Sequence, residues 1–350
     1  MMQTRAKGIS FGFDARTGLL DGFTVKDGDQ RISPLHRAPW VGTDEAMLPE
    51  AAPHIATLGG DFFCAPFAAS EEGAPMHGWP ANAPWTVVLQ AEGVLRSVLS
   101  RPVRGATVIK ELAVEDGHPF VYQRHVFIGG SGRLPVSNHA NLSLLNGGLI
   151  TTSPKRYWET PATPQESDPS RGRSALRYPA QSADPQAFPG TDGPSDLTRY
   201  PWNPHHEDFV MGLEAPGHEM GWTAVTRPVE GDLYLSLRNA RALPMTMLWH
   251  SNGGRDYAPW SGRHFGCLGV EEGAASHMLG LSTEADLTGP GALLLAPQGL
   301  AEVRHVIGAV AWPSGEGVAD IVSGDGFIDI HGEAGAQRRV ACRTDLLKDP

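Results

Sequence analysis

Apolar residues along this chain recur at strand spacing, not at helical spacing. Leu233, Leu235 and Leu237 lie two apart, as do Met245 and Met247, which places each set on one face of an extended segment. Thr107–Glu115 and Pro119–Ile128 flank Asp116-Gly117. Asp-Gly between two such runs predicts a hairpin, because it accepts the positive φ of a tight turn. Asp27-Gly28 predicts another near the N-terminus, and Thr86–Leu89, Val303–Trp312 and Phe327–Ile330 read as further strands. No long segment carries a 3.6-residue apolar period, and no repeat of fixed length emerges. The reading is an all-β chain with a short helix or two.

Composition agrees. The 42 Gly and 29 Pro make 71 of 350 residues, well above the usual share of roughly 12%, and long helices tolerate both poorly. A hydrophobic content of 41% is enough for a large core, and a single β domain spanning residues 1–350 is expected. Residues 151–205 stand apart, with ten prolines among Trp158, Tyr178, Tyr200 and Trp202. That many aromatics argues against a disordered tail, so a long insertion packed across the sheet as a lid over a cleft is expected.

Charge narrows the partners. Lys and Arg number 28 against 39 Asp and Glu, a net charge of −11, and the cations form no block. A nucleic-acid partner is not expected. Nor is a membrane one, because no stretch approaches about 20 apolar residues. The N-terminus MMQTRAKGISFGFD lacks the apolar core of a signal peptide. Cys64, Cys267 and Cys342 are odd in number and widely spaced, which fits reduced thiols in a cytoplasm and excludes a CxxC zinc site. His205-His206-Glu207-Asp208 has the residue types of a metal cluster without the spacing, so no metal is expected. The Gly-rich stretches are turns, since none opens a helix with a phosphate-binding fingerprint.

Three stretches carry candidate chemistry. One is Leu58-Gly59-Gly60-Asp61-Phe62-Phe63-Cys64-Ala65-Pro66-Phe67, followed by Met76-His77-Gly78-Trp79 and Trp85. Another is Val136-Ser137-Asn138-His139-Ala140-Asn141-Leu142. The last is His264-Phe265-Gly266-Cys267-Leu268-Gly269-Val270-Glu271-Glu272. In this order they resemble the galactose mutarotase-like superfamily, which includes aldose 1-epimerases and hexose-6-phosphate mutarotases.

The resemblance implies a large antiparallel β-sandwich that binds a small-molecule carbohydrate on a concave face. It implies cofactor-free interconversion of sugar anomers. A monomer or homodimer is expected. It assigns His139 as general acid and Glu271 as general base, with Glu272 as the alternative base, and His77 as a sugar-binding, orienting group. A base takes the proton of the C1 hydroxyl while an acid protonates the ring oxygen, so one donor and one acceptor must lie within hydrogen-bond reach. Alternation along a strand sends Glu271 and Glu272 to opposite sides, one expected inward and one towards solvent.

Further substrate contacts are expected from Trp79, Asn82, Arg255, Asp256 and Trp260. Of the tryptophans Trp40, Trp79, Trp85, Trp249 and Trp260, only Trp79 and Trp260 lie near the motifs beside Pro or Gly. Arg255-Asp256 reads equally as a solvated turn. Two arginines of the hexose-6-phosphate mutarotases are missing, one replaced by Leu58 and one falling in Trp79-Pro80-Ala81-Asn82. A phosphorylated substrate would then need Arg124, Arg255 or Arg263. The rival from another class is a carbohydrate-binding or sugar-sensing protein on the same fold, without turnover.

Overall fold

The computed structural model describes residues 1–68, 73–282, 287 and 289–348. Two large antiparallel sheets stack face to face. The eleven-stranded sheet is centred on five strands that carry the site. They are β1 (Asp61–Cys64), β2 (Val136–Ser143), β3 (His206–Glu214), β4 (Met245–Asn252) and β5 (Cys267–Ala274), in the spatial order β1-β2-β5-β4-β3. The nine-stranded sheet opposite is built around Met220–Arg227, Asp232–Asn239, Leu300–Ala311 and Phe120–Gly129.

The expected strands form. Ala106–Ala113 and Phe120–Gly129 pair as a hairpin about Gly117, whose φ is 75°, and Leu19–Asp27 pairs Gln30–Ile32 about Gly28. Leu233, Leu235 and Leu237 share a face within Asp232–Asn239, and all three are buried.

Three apolar clusters explain why both faces of both sheets exclude water. The main one fills the space between the sheets and includes Phe11, Phe63, Phe127, Leu142 and Val270. Another lies outside the nine-stranded sheet, under a three-stranded sheet (Val318–Ser323, Phe327–Gly332 and Gln337–Ala341). The remaining cluster lies on the concave face of the eleven-stranded sheet and includes Trp40, Phe62, Phe67, Phe209, Trp249 and Trp260.

The proline-rich segment is knitted into the molecule. Lys155–Glu159 pairs β3 and Gln181–Ser182 at the edge of one sheet, while Arg199–Tyr200 pairs Gly148–Thr152 at the edge of the other. Leu176, Phe188, Leu197 and Tyr200 from this segment enter the core between the sheets. No helix among the described residues is long and apolar enough to cross a membrane.

Candidate active site

The antiparallel register decides which side chains meet. Phe62, His139, Glu271 and Met247 are direct partners across β1, β2, β5 and β4, so all four project from the same face in one row. The next row along the strands is Asn141, Gly269, Trp249 and Phe209. Gly269 leaves a gap there. A Cβ at this position would sit 3.0 Å from Glu271 Oε1, 3.0 Å from Trp249 Cβ and 3.2 Å from His139 Cε1.

His139 and Glu271 form the floor of a cavity of about 160 Å³. His139 Nε2 lies 3.2 Å from Glu271 Oε1. The Phe62 ring stacks on His139 with centroids 4.4 Å apart, and Trp249 meets it edge-on at 5.8 Å. Among the described residues, none forms a hydrogen bond with His139 Nδ1, which is buried. Burial pushes the His139 imidazole down to about 3 and lifts the Glu271 carboxyl well above the usual carboxylate range. Both groups therefore favour their uncharged forms.

His77 also reaches the cavity, with its ring 5.6 Å from that of His139. Its backbone is left-handed at φ 69°, immediately before the short helix α1 (Gly78–Asn82), a conformation that a non-glycine residue holds only under constraint. The constraint is visible in two contacts. The Ala65 amide donates to His77 O at 3.2 Å, and the Ala68 amide donates to His77 Nδ1 at 3.3 Å. The latter leaves Nε2 as the ring donor.

His54, which the sequence did not single out, completes a histidine trio. Its ring is 5.0 Å from that of His77. Asn82 Oδ1 accepts from both the His54 amide (3.0 Å) and His54 Nδ1 (2.9 Å), while Asn82 Nδ2 donates to Met76 O and Gly78 O. Asn82 is thus saturated by protein groups and sets the tautomer of His54, in place of the direct sugar contact expected of it.

Arg255 and Trp260 line the cavity. The Arg255 guanidinium stacks over Trp260 at 4.4 Å and pairs with buried Glu207 at 2.9 Å. Glu207 also accepts from Trp249 Nε1 at 2.5 Å and from Ser251 Oγ at 2.8 Å, so one carboxylate fixes two wall residues. Of the proline-rich segment, Gln165 reaches the cavity. The remaining walls are mostly apolar, with Ile55, Leu58, Phe67, Phe209 and Met278 among them.

Several expected contacts lie elsewhere. Glu272 projects from the opposite face of β5 into the space between the sheets. There it pairs with Arg238 at 2.8 Å and accepts from Thr223 at 2.6 Å and Thr246 at 2.9 Å. Both faces of β5 are covered, so alternation separates two buried environments and not an inward face from a solvated one. Trp79 packs on the core with Arg101 over its ring at 4.4 Å, and Asp256 is exposed and paired with Arg173 at 2.6 Å. Arg124 is held by Glu111 and Glu302, and Arg263 by Glu45, which leaves Arg255 as the cation lining the cavity. Larger hollows of about 440 and 780 Å³ border the three-stranded sheet and contain neither His139 nor Glu271.

The fold has known counterparts. No family model matches the sequence, and no curated protein matches it. Solved structures do. A galactose mutarotase related enzyme from Lactobacillus acidophilus superposes with a TM-score of 0.54 at 9% identity, covering 88% of this chain and 96% of its own. A candidate aldose 1-epimerase from Escherichia coli K12 gives 0.54 at 12% identity, covering 88% and 97%. A galactose mutarotase-like protein from Lactobacillus casei gives 0.51 at 11% identity, covering 88% and 99%. This chain therefore has the galactose mutarotase-like sandwich fold.

Proposed function

We propose that the protein interconverts the anomers of a free monosaccharide by acid–base opening and closing of the sugar ring at His139 and Glu271. The observation that carries this reading is the 3.2 Å contact between His139 Nε2 and Glu271 Oε1 on the floor of a cavity of about 160 Å³, room for about one pyranose ring. The structural neighbours that include galactose mutarotase relatives support the same chemistry.

In the buried resting pair Glu271 holds the proton and His139 is neutral. Glu271 then donates to the ring oxygen while His139 accepts the proton of the C1 hydroxyl. The C1–O bond of the ring breaks, the aldehyde turns about C1–C2, and closure on its other face returns both protons. Opening leaves an imidazolium beside a carboxylate, whose attraction in a dry site offsets part of their desolvation. These roles invert the assignment that the resemblance implies. The inversion follows from burial, which disfavours a charged histidine at rest.

The neighbours of the pair fit a neutral sugar. His77 keeps a ring N–H and His54 a ring lone pair, while Trp249 and Trp260 supply aromatic wall. The charge of Arg255 is already balanced by Glu207, so a phosphate would enter without a free cation.

The test is magnetisation-exchange NMR or polarimetry on a panel of free and phosphorylated sugars. His139→Ala and Glu271→Gln should each slow exchange by at least about tenfold. Wild-type rates in both variants, with the fold intact by circular dichroism, remove the assignment. A sugar that raises Tm without any anomer exchange would favour a binding protein on this fold.

A further inference from the structure

A second polar cluster lies on the same concave face, two residues along the strands from Gly269 and four from Glu271. Ser143, Cys267, Ser251 and Glu207 are register partners across β2, β5, β4 and β3. His264, from the connection into β5, and His36, whose amide donates to Asn141 O at 2.7 Å, close over this row. His36 Nε2 and His264 Nε2 stand 3.0 Å apart. Each ligand atom of His36, His264 and Cys267 lies within 4.8 Å of the other two, and all three residues are buried.

The hydrogen bonds fix which nitrogen of His264 is bare. Glu207 accepts from Trp249 Nε1 and pairs with the Arg255 guanidinium, and both of these can only donate. The single hydroxyl hydrogen of Ser251 goes to the other Glu207 oxygen at 2.8 Å. Burial raises the Glu207 carboxyl while the Arg255 guanidinium opposes that shift; with Glu207 a carboxylate, the 2.7 Å contact between Ser251 Oγ and His264 Nδ1 runs from the ring N–H to the hydroxyl oxygen. That leaves a lone pair on His264 Nε2, the nitrogen that faces His36. Metal-bound histidines are oriented in this way, through the N–H of the other ring nitrogen held by an outer acceptor.

We propose that His36 Nε2, His264 Nε2 and Cys267 Sγ form a site for a thiophilic transition-metal ion, zinc foremost, behind the tryptophan wall of the cavity. Two imidazoles and a thiolate select zinc over the hard cations magnesium and calcium. With Zn–N bonds of about 2.0–2.1 Å, tetrahedral geometry separates two nitrogens by about 3.3 Å. The nitrogen pair needs to part by a few tenths of an ångström, and Cys267 Sγ, within 4.8 Å of both, has to close to about 3.6 Å, the spacing set by a Zn–S bond of about 2.3 Å. Cys267 loses its thiol proton to solvent on binding, and the hydrogen that His36 Nε2 donates to His264 shifts to His36 Nδ1. The bound ion ties the start of β5 to the two connections that carry His36 and Trp260. The rings of Trp40, Trp249 and Trp260 all lie 5.1–5.8 Å from that of His264, so they report on the site.

The experiment titrates the full chain, stripped with a chelator, first with cobalt(II) and then with zinc. Expected is one equivalent of cobalt giving a thiolate-to-cobalt charge-transfer absorption with quenching of tryptophan fluorescence, both reversed by zinc. Cys267→Ser abolishes the absorption. His36→Gln and Ser251→Ala each weaken binding by at least about tenfold. His77→Gln, which alters the neighbouring histidine trio, leaves binding unchanged. The wild type alone provides a further check, since zinc at about a hundred times its Kd should raise Tm through mass action and a chelator should cancel the rise. The proposal is overturned if the wild type shows no charge-transfer band and no zinc-dependent rise in Tm. It is equally overturned if the band persists in folded Cys267→Ser.

Discussion

Lowering the pH charges a set of imidazoles that this fold keeps uncharged. His36 and His54 are pushed down to about 4 by burial, and His139 and His305 to about 3, from an ordinary value of about 6.5. The unfolded chain takes up protons below 6.5 while the folded one refuses them. The stability these groups contribute is therefore complete above 6.5 and is lost as the pH falls towards 4 and 3. At pH 5 each of the four lowers stability by about 2 kcal/mol relative to neutral pH, or about 8 kcal/mol together. Asp61, pushed up to about 6 by burial, acts in the opposite sense and returns about 1 kcal/mol over the same interval. For these five groups the loss is about 7 kcal/mol, comparable with the whole stability of a typical domain, about 5–15 kcal/mol; burial of Glu271 and Glu207 opposes it, and burial of His77, His125, His250 and His264 adds to it. Urea unfolding followed by tryptophan fluorescence from about pH 7.5 to about pH 5 should show the midpoint collapsing across that range. NMR of the imidazole ring protons in the native protein should show these rings failing to titrate near 6.5. A midpoint that stays constant over the interval, or native rings that titrate near 6.5, would refute the reasoning.

Other expectations are more local. Gly269→Ala inserts a methyl 3.0 Å from Glu271 Oε1; overpacking should cost about 1–3 kcal/mol and displacement of the pair should slow exchange by roughly tenfold, to be read by thermal melts beside NMR exchange. Glu272→Gln should lower stability by about 2 kcal/mol, because it weakens charge-assisted contacts while Arg238 keeps its buried pair with Glu214, yet exchange at temperatures where it is folded should match the wild type. Asn82→Ala removes four hydrogen bonds around His54 and α1; a loss of about 2–4 kcal/mol in urea melts is expected. With Glu271 as the proton donor, the exchange rate should decline as the pH rises through its elevated pKa and should hold steady from there down to the acid transition. A rate that instead follows a histidine near 6.5 would restore His139 as the resting acid.

The strands were legible because alternation and Asp-Gly turns are local signals, and the ladder then follows from pairing neighbours. His139, Glu271 and His77 were legible through ordered motifs, which no single spacing would have supplied. The rest of the cavity was not, because its walls are assembled by register between distant strands. Trp249 faces the site only because it sits opposite Gly269, and Phe62 only because it pairs His139. Glu207 was visible as part of an apparent metal cluster. The useful signal there was strand alternation, which sends Glu207 to the concave face, away from the hydrogen-bonded pair His206 and Asp208. His54 lies in a short 3₁₀ turn after Pro53, and nothing local marks it. Trp79 and Asn82 were misread because nearness in sequence to His77 was taken for nearness to the ligand, whereas α1 turns them towards the protein.

His139 and Glu271 stand on ladder strands at the middle of a wide sheet, while Ile55, Met76 and Met278 come from short turns that join or follow such strands. The frame that holds an imidazole against a carboxyl group is thus separate from the bulky side chains that shape the cavity mouth, so substitutions on those turns should reshape the cavity while leaving the 3.2 Å pair in place.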